Sequence, residues 1–399
     1  MGTASGTSRT PSGAPRHVVH VTETFGGVET YLRLLLAYWQ DPGVRFSFVL
    51  GAEGPFAEDL RAEGYAVEIV PMPRSTTQLG ALRARGPLRR ALKRLDPDVV
   101  HLHSSQAGFV GRLAWRRTPM FYTPHAFFYL GQSGLKRWIF LTAERVLGRL
   151  NDATVLATSP SEWDRAVGDV GLPLDRAVTV LNGVEAAQVE PREGTQDVFR
   201  VGIAARVAPQ KDLGTFLEAV AELRRRRRAD FAFDLVGVGH YDGDGAVLAG
   251  ALAYAGVAPE DVGIHPWMPR ADLLAWLETC DAIVLTSKFE SFGYLLAEAT
   301  ARGVPVVGTD VDGIRDIIQH GRTGLLVPPS DPHAVARALE WLAATPEYPE
   351  ISERALADAR ARLGVERVVR QLALLYRSAG GDRDLTPSAV GSAPAATRH

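Results

Sequence analysis

Residues 286–305 read TSKFESFGYLLAEATARGVP and contain the loop and helix of one α/β unit. An apolar run from Asp281 to Leu285 precedes them, and a second run begins at Val304. The order strand, loop, helix, strand is typical of a parallel sheet, in which ligands bind at the carboxyl ends of the strands. We therefore expect a ligand-binding loop that leads into a helix of about ten residues.

Two glutamates and a glycine in this segment predict a site for an anion. At the predicted helix start, the backbone N–H groups of Gly293, Tyr294 and Leu295 lack intrahelical partners and can bind an anion. Glu290 lies ahead of this point and Glu298 lies on the helix. A carboxylate on each side of a phosphate suits a ligand with hydroxyls at both ends, such as a nucleotide sugar. Two solvated glutamates on an amphipathic helix are the open alternative.

The length and composition indicate a globular protein of two domains. The 399 residues exceed one ordinary core, and 46% hydrophobic with 23% charged residues is usual for such proteins. A formal charge of −2 predicts no nucleic-acid partner. The single cysteine, Cys280, excludes an internal disulfide framework and fits a reducing cytosol. No apolar run reaches the ~20 residues of a membrane helix, so we expect a cytoplasmic protein.

Strand-like runs alternate with helical patterns through both halves of the chain. This alternation predicts the α/β class, with two Rossmann-like, doubly wound domains. A polar stretch at 191–197 reads as a linker. We expect a disordered lead at 1–15, an N-terminal domain at 16–182, a C-terminal donor domain at 183–375 and a disordered tail at 376–399.

Two cations follow the first strand of the second half. Arg206 stands at the carboxyl end of that strand, and Lys211 lies on the loop after it. Together they can neutralise a diphosphate, the guanidinium in a bidentate way and the ammonium as a point charge. A surface salt bridge from these cations to Asp212 or another neighbour is the alternative.

Glycines and histidines follow strands in the first half. Gly26 and Gly27 let a ligand approach the backbone, although tight turns also use such pairs. His101 and His103 share one strand, and His125 follows the next. No nearby third ligand completes a metal site with His101 and His103, so we predict a packed, hydrogen-bonded role for them and no bound metal.

Six cations crowd residues 83–94, beside an apolar stripe at helical spacing that should pack on the sheet. The cations are Arg83, Arg85, Arg89, Arg90, Lys93 and Arg94. A solvated helix face explains them. Docking on an anionic membrane, to which each nearby cation contributes ~1 kcal/mol, is the second interpretation. Residues 136–140, KRWIF, would add an aromatic edge to that surface.

The segment with Glu290, Phe292, Gly293 and Glu298 resembles the donor-binding segment of family 4 retaining glycosyltransferases, which have the GT-B architecture. The resemblance covers nearly all of residues 17–376. Other motifs that resemble the family occur along the chain in the expected order: Gly-Gly-Val-Glu at 26–29, Thr-Pro-His-Ala-Phe at 123–127, Asn-Gly-Val-Glu at 182–185, and Arg206 with Lys211. Ala205 replaces the glycine that the family has before the arginine.

The resemblance implies a retaining hexosyltransferase that binds a nucleotide diphosphate-sugar in a cleft between its domains, without a metal or another cofactor. Glu298 would bind the ribose, and Glu290 the hydroxyls of the donor sugar. Arg206 and Lys211, with the helix start at Gly293, would stabilise the departing diphosphate. His125 would reach the donor sugar and the acceptor, while the Gly26-Gly27 loop would face the sugar diphosphate. We expect a same-face displacement, because no covalent nucleophile is evident.

The acceptor is the least determined part of this hypothesis. The segments HLHSS at 101–105 and YTPH at 122–125 look most like bacterial exopolysaccharide and lipid-linked-sugar transferases. They favour a lipid-linked or polysaccharide acceptor, used at the inner face of the cell membrane. A natural-product acceptor, a nucleotide-sugar epimerase of the same fold and a non-catalytic sugar-nucleotide-binding partner remain alternatives.

Overall fold

The computed structural model describes residues 16–23, 26–72, 82–194, 198–226, 230–239 and 243–379. They form two compact units. Unit 1 contains the described residues up to 157, then 163–180, and those from 369 onward, whereas unit 2 contains 158–162 and 181–368. The predicted linear division into 16–182 and 183–375 differs from these units in two segments. Residues 158–162 belong to unit 2, and the residues from 369 onward belong to unit 1. Composition alone cannot reveal that the chain returns to unit 1 at residue 369.

Unit 1 contains a seven-stranded parallel sheet. Its strands are β1 (Arg16–Thr22), β2 (Val44–Leu50), β3 (Ala66–Ile69), β4 (Val99–His103), β5 (Met120–Thr123), β6 (Thr154–Ala157) and β7 (Ala177–Thr179). They follow the order β3-β2-β1-β4-β5-β6-β7. The direction of winding reverses between β1 and β4, where a doubly wound sheet binds its ligand. In this register His20 lies opposite His101, and Thr22 opposite His103.

The α-helices that begin in the first half are α1 (Gly27–Tyr38), α2 (Pro55–Ala62), α3 (Arg85–Leu95), α4 (Ser105–Ala114), α5 (Gly134–Leu150) and the short α6 (Pro160–Asp164), of which residues 160–162 belong to unit 2. Helix α3 buries Leu88, Ala91 and Leu92 and exposes its cations. The apolar stripe predicted for this helix is confirmed.

Unit 2 contains a six-stranded parallel sheet. Its strands are β8 (Phe199–Ala204), β9 (Phe231–Val238), β10 (Gly263–Pro266), β11 (Ala282–Leu285), β12 (Val306–Thr309) and β13 (Gly324–Val327). Their order, β10-β9-β8-β11-β12-β13, is that of doubly wound nucleotide-binding sheets, with the reversal between β8 and β11. Two Rossmann-like domains, as predicted, are confirmed.

The remaining helices are α7 (Leu213–Arg225), α8 (Asp244–Ala255), α9 (Arg270–Leu277), α10 (Tyr294–Thr300), α11 (Ile314–Ile317), α12 (Pro332–Ala344), α13 (Tyr348–Arg362) and α14 (Val365–Ser378). Helix α10 has seven residues and is shorter than predicted, because the chain turns at Gly303 (φ 67°) towards β12. The tail predicted from residue 376 is wrong at its start, since Tyr376 is helical and buried. Residues 1–15 and 380–399 lie outside the described residues.

Cys280 is buried and packs against β8. A Cβ atom at Gly202 would lie 2.6 Å from the Trp276 ring and 2.9 Å from the Cys280 sulfur, so this glycine makes room for both. Burial raises the pKa of the Cys280 thiol to about 12, which makes it an inert, apolar side chain. Within the described ranges, no helix is long and apolar enough to cross a membrane.

Candidate active site

In unit 2, the predicted charged residues gather where the winding of the sheet reverses. Strand β8 ends at Ala204, and the loop after it carries Arg206 and Lys211. Strand β11, its neighbour in the sheet, ends at Leu285 and leads to Glu290. Because parallel strands place their carboxyl ends at one edge, residues far apart in sequence become neighbours here.

Backbone hydrogen bonds fix the two loops to each other. The N–H of Lys288 donates to the carbonyl of Gln210 at 2.8 Å. The Thr286 hydroxyl lies 3.0 Å from the carbonyl oxygens of both Lys211 and Asp212 and donates to them. Lys211 therefore stands on a loop that is tied to the glutamate segment, which limits its freedom before a ligand arrives.

Lys211 and Glu290 form a partly buried ion pair between Nζ and Oε1. The Ser287 hydroxyl donates to the same oxygen at 3.2 Å, and the Gln210 amide nitrogen lies 3.5 Å from it. None of the described residues hydrogen-bonds the other oxygen, Oε2. Glu290 is thus held rigidly through one oxygen and offers the second to a ligand.

The alternative salt bridge from Lys211 to Asp212 is not formed. Asp212 pairs with Lys288 at 3.3 Å, and its other contacts include the Ser330 hydroxyl at 2.9 Å. Arg206 is exposed, two residues beyond the end of β8. Both predicted cations therefore stand at the carboxyl edge of the sheet.

The start of α10 has the geometry expected for an anion-binding backbone. Gly293 adopts the left-handed conformation, with φ 86°, which favours glycine. The first hydrogen bonds of the helix run from the N–H groups of Leu296 and Ala297 to the Gly293 carbonyl, at 3.0 and 3.2 Å. The helix itself therefore does not use the N–H groups of Gly293, Tyr294 and Leu295.

The side chains beside this turn support it and do not line it. Phe292 is 1% exposed and packs edge-on against Tyr294, with 5.2 Å between the ring centroids. Leu295 is buried as well. A Cβ at Gly313 would lie 2.5 Å from the carbonyl carbon of Ser291, so the next loop presses directly on the turn. Of the predicted donor-binding residues, Phe292 and Leu295 can contribute only their backbones.

Glu298 is 3% exposed and forms an ion pair with Arg270, the first residue of α9. Burial raises the pKa of Glu298, and the Arg270 guanidinium offsets part of that rise. The other terminal nitrogen of Arg270 lies 3.3 Å from Glu185. Arg270 could not be identified from the sequence, because nothing local distinguishes it from other surface arginines.

The backbone conformation explains one of the two glycines in the Gly26-Gly27 loop of unit 1. Gly26 has φ 80° and is exposed, and α1 begins at Gly27. A Cβ at either position would meet no described atom within 4 Å. The backbone conformation therefore favours glycine at 26, whereas no packing within the described chain requires it at 27.

The start of α4, also in unit 1, is occupied by the protein itself. The Ser104 hydroxyl donates to the Glu23 carboxylate, and the Ala107 N–H donates to the same oxygen at 3.2 Å. This helix start already binds an anion, so it is not a candidate for the diphosphate.

Four histidines lie at the reversal point of the unit 1 sheet. His20 Nδ1 is 2.9 Å from His103 Nε2, and His103 Nδ1 is 3.1 Å from His125 Nε2. His101 contacts the Tyr376 hydroxyl at 2.6 Å. Burial lowers the pKa of His20 and of His125 to about 3 and also lowers the pKa of His101 and His103, so all four are neutral near pH 7.

The expectation that no third metal ligand lies near His101 and His103 was wrong. His20, on the neighbouring strand, brings a ring nitrogen within 4.8 Å of theirs. However, both nitrogens of His101 and of His103 are engaged in hydrogen bonds, and the ring centroids of these two residues lie 4.0 Å apart. This arrangement fits the packed, hydrogen-bonded role better than a common metal ion.

Two family profiles match the chain, one in each half. The profile "Glycosyl transferase 4-like domain" matches residues 26–183, and "Glycosyl transferases group 1" matches residues 198–345. The second range contains Arg206, Lys211, Arg270, Glu290 and Glu298. The charged site described above therefore lies within the group 1 domain.

Relatives and solved structures with this similarity include glycosyltransferases. The D-inositol 3-phosphate glycosyltransferase of Paenarthrobacter aurescens is 30% identical over 61% of this chain and 64% of its own length. The alpha-D-kanosaminyltransferase of Streptomyces kanamyceticus is 31% identical over 49% of each chain. The structure of Anabaena HepE with UDP and glucose shares the fold, with a TM-score of 0.73, 22% identity, and coverage of 90% of this chain and 99% of that one. The chain belongs to the group 1 glycosyltransferases and has their GT-B fold.

Proposed function

We propose that this glycosyltransferase binds a nucleotide diphosphate-sugar on unit 2 and transfers the sugar with retention at the anomeric carbon. The observation that carries the proposal is the Lys211–Glu290 ion pair. It lies at the carboxyl ends of β8 and β11, where the direction of winding of the sheet reverses. The buried carboxylate of Glu298 follows on the next helix. The cation and the backbone N–H groups suit the diphosphate of a nucleotide sugar, and the two carboxylates suit its two sugar rings.

Each group has a task that follows from its charge. Lys211, Arg206 and the N–H groups at the start of α10 would stabilise the negative charge that grows on the departing diphosphate. We propose that they take the place of a divalent metal. Glu290 holds Lys211 through Oε1 and offers Oε2 to a hydroxyl of the donor sugar. Glu298 would accept hydrogen bonds from the ribose.

The contacts of Glu290 argue against one route to retention, a double displacement through a covalent intermediate. Lys211 and Ser287 already engage one oxygen of this carboxylate, which makes it a poor covalent nucleophile. We therefore propose a same-face displacement. The bond from the anomeric carbon to the diphosphate breaks, the bond to the acceptor oxygen forms on the same face, and the acceptor proton passes to the diphosphate.

A membrane-associated acceptor is supported by the surface of unit 1. Helix α4 packs against both α3 and α5. Helix α5 exposes Leu135, Trp138 and Ile139, beside Lys136. Exposed aromatic and aliphatic side chains next to cations are typical of helices that lie on an anionic bilayer. We propose a lipid-linked or polysaccharide acceptor at such a surface.

The first experiment measures release of nucleotide diphosphate from UDP-, GDP- and dTDP-sugars, with and without cell-membrane extract. We expect release from one donor, an increase with extract, and loss of most activity in Glu290→Ala and Glu298→Ala. Lys288→Ala is the matched control, because it removes an exposed cation of the same loop. Full activity in both glutamate variants would refute the assignment.

The same assay separates the alternatives. An epimerase would convert the donor sugar without an acceptor. A non-catalytic partner would bind the donor but release nothing with any acceptor. The similarity to the kanosaminyltransferase supports a second candidate, a soluble natural-product acceptor. In that case aminocyclitols or other small polyols would stimulate release, and membrane extract would not.

Co-sedimentation with vesicles tests the membrane surface separately. Phosphatidylcholine vesicles containing phosphatidylglycerol should bind the protein more tightly than phosphatidylcholine alone. Trp138→Ser should weaken this binding, because Trp138 is 61% exposed on α5. Trp341→Ser, on α12 of unit 2, is the matched control. Equal binding by all three proteins would contradict docking through α5.

A further inference from the structure

Three imidazoles form one continuous hydrogen-bonded chain in unit 1. His20 on β1 contacts His103 on β4 through Nδ1 and Nε2 at 2.9 Å. His103 then contacts His125, which follows β5, through Nδ1 and Nε2 at 3.1 Å. His20 and His103 are fully buried, whereas His125 is partly exposed. The chain therefore leads from the core to the accessible end of the sheet.

The number of protons gives this chain a direction. A neutral imidazole carries one N–H, so His103 donates one of its two hydrogen bonds and accepts the other. The same holds along the chain, and only two arrangements exist. In one, every proton points from His20 towards His125. In the other, every proton points from His125 towards His20.

The surroundings of His20 select between the two. Its Nε2 is buried and has no hydrogen-bond partner among the described residues. The neighbouring rings of Phe46 and Phe48 lie 5.0 and 5.5 Å away, measured between centroids. A proton on Nε2 would be an orphaned buried donor, which is rarer in proteins than an unsatisfied lone pair. The proton of His20 therefore belongs on Nδ1.

We propose that the chain His20–His103–His125 places the proton of His125 on Nδ1, so that this residue acts as a hydrogen-bond donor and not as a base. His20 Nδ1–H donates to His103, and His103 Nδ1–H donates to His125 Nε2. No described residue hydrogen-bonds the Nδ1 of His125, which leaves its N–H for a ligand oxygen. His20 and His103 are then positioning residues.

The backbone around His125 gives the chain a second task. His125 and Ala126 both adopt left-handed conformations, with φ of 51° and 76°. Two successive non-glycine residues in this region store strain, and such strain persists only where other contacts hold the segment. The hydrogen bond from His103 and the edge contact of Tyr31, at 5.2 Å between centroids, are such contacts. The catalytic consequence of this positioning rests on the proposed transferase function.

The imidazole ¹⁵N shifts of histidine-labelled protein test the proposal directly, because they distinguish Nδ1–H from Nε2–H. His125→Gln assigns the signals. We expect Nδ1–H at His125 in the wild type, and a change to Nε2–H in His103→Leu, because free histidine prefers that tautomer. His103→Asn should preserve Nδ1–H, since its amide can donate in place of the imidazole. His101→Asn is the control, a buried imidazole outside the chain.

Turnover supplies the second measurement. His103→Leu should lower kcat by up to about 100-fold, the order of loss that misplacement of a reacting group causes, with little change in KM for the donor. His103→Asn should recover most of that loss. If His103→Leu does not fold, His20→Leu breaks the same chain at its inner end.

Two results would overturn the inference. One is Nε2–H at His125 in the wild-type protein. The other is an unchanged tautomer and kcat in the variants that break the chain. If no donor supports turnover, the transferase proposal fails, but the shifts still decide the state of His125.

Discussion

Replacing Arg270 with alanine should expose how unit 2 keeps a carboxylate charged in its interior. Glu298 is 3% exposed, and Arg270 is the side chain that pairs with it. Without the guanidinium, the carboxylate must remain charged in an apolar surrounding or bind a proton. The change therefore tests the electrostatics of the proposed ribose site without altering Glu298 itself.

The expected loss of stability follows from burial. Removing one partner of a fully buried pair costs about 3–5 kcal/mol. Because the Arg270 side chain is 31% exposed, solvent screening reduces this cost, and we expect about 2–3 kcal/mol. For a domain of about 150–250 residues this corresponds to a fall in Tm of about 4–12 °C.

The loss should depend on pH in a known direction. Burial raises the folded-state pKa of Glu298 above its usual value of 4.5. The stability that such a group contributes is present below the unfolded pKa and is lost as the pH rises through the folded pKa. Removing Arg270 raises the folded pKa further, so the window of loss extends towards neutral pH. Thermal melts at about pH 5 and pH 8 should therefore show the larger Tm deficit at pH 8.

A double variant provides the control. In Arg270→Ala with Glu298→Gln, the buried carboxylate that Arg270 paired with is removed as well, so this protein should be more stable at pH 8 than Arg270→Ala alone. Nucleotide diphosphate binding, measured by calorimetry, should weaken in Arg270→Ala, in Glu298→Gln and in the double variant. Equal Tm deficits at both pH values, or a double variant whose deficit is the sum of the single ones, would refute the electrostatic explanation.

Three further predictions concern residues in both units. Lys211→Met should lower kcat/KM for donor consumption by about 100- to 1,000-fold. The nearby Lys288 side chain is 50% exposed, so Lys288→Met should change kcat/KM by less than about threefold. Similar losses in both variants would contradict a specific role for Lys211. Glu144→Leu leaves the buried Arg112 without its 2.7 Å partner and should cost about 3–5 kcal/mol in urea unfolding; an unchanged midpoint would show that the pair is dispensable. Gly26→Ala should cost about 1–3 kcal/mol of stability, because φ 80° with ψ −123° is a backbone conformation that L-residues rarely adopt. If a ligand also approaches this backbone, KM for the donor should rise in the variant at a temperature well below its Tm, and an unchanged KM would contradict close approach.

The sheets were predictable because buried parallel strands read as apolar runs between helical patterns. The apolar run His17–Val21 lies within β1, and the run Asp98–Leu102 overlaps β4, which begins and ends one residue later. The exact ends of a strand depend on its register with the neighbouring strands, and local sequence patterns carry no information on that register. The length of α10 was overestimated for the same reason, since only tertiary context shows that Gly303 turns the chain.

The site was predictable as a set of residues but not as a set of contacts. Lys211 and Glu290 were both expected at the carboxyl ends of strands, yet their ion pair depends on β8 lying next to β11. Arg270 and His20 were missed because their importance comes from partners 28 and 83 positions away. Phe292 matched a motif, but its side chain belongs to the core.

The two reversal points use opposite electrostatics in sheets of the same topology. In unit 2, the loops bring together cations and carboxylates, as a charged diphosphate and its sugars require. In unit 1, a carboxylate of the protein closes the start of α4, and the nearby histidines are held neutral by burial. A neutral imidazole attracts an anion less strongly than Lys211 or Arg206 does, and in the tautomer proposed above His125 presents one N–H donor. The same sheet topology therefore presents charged side chains at one reversal point and neutral imidazoles at the other.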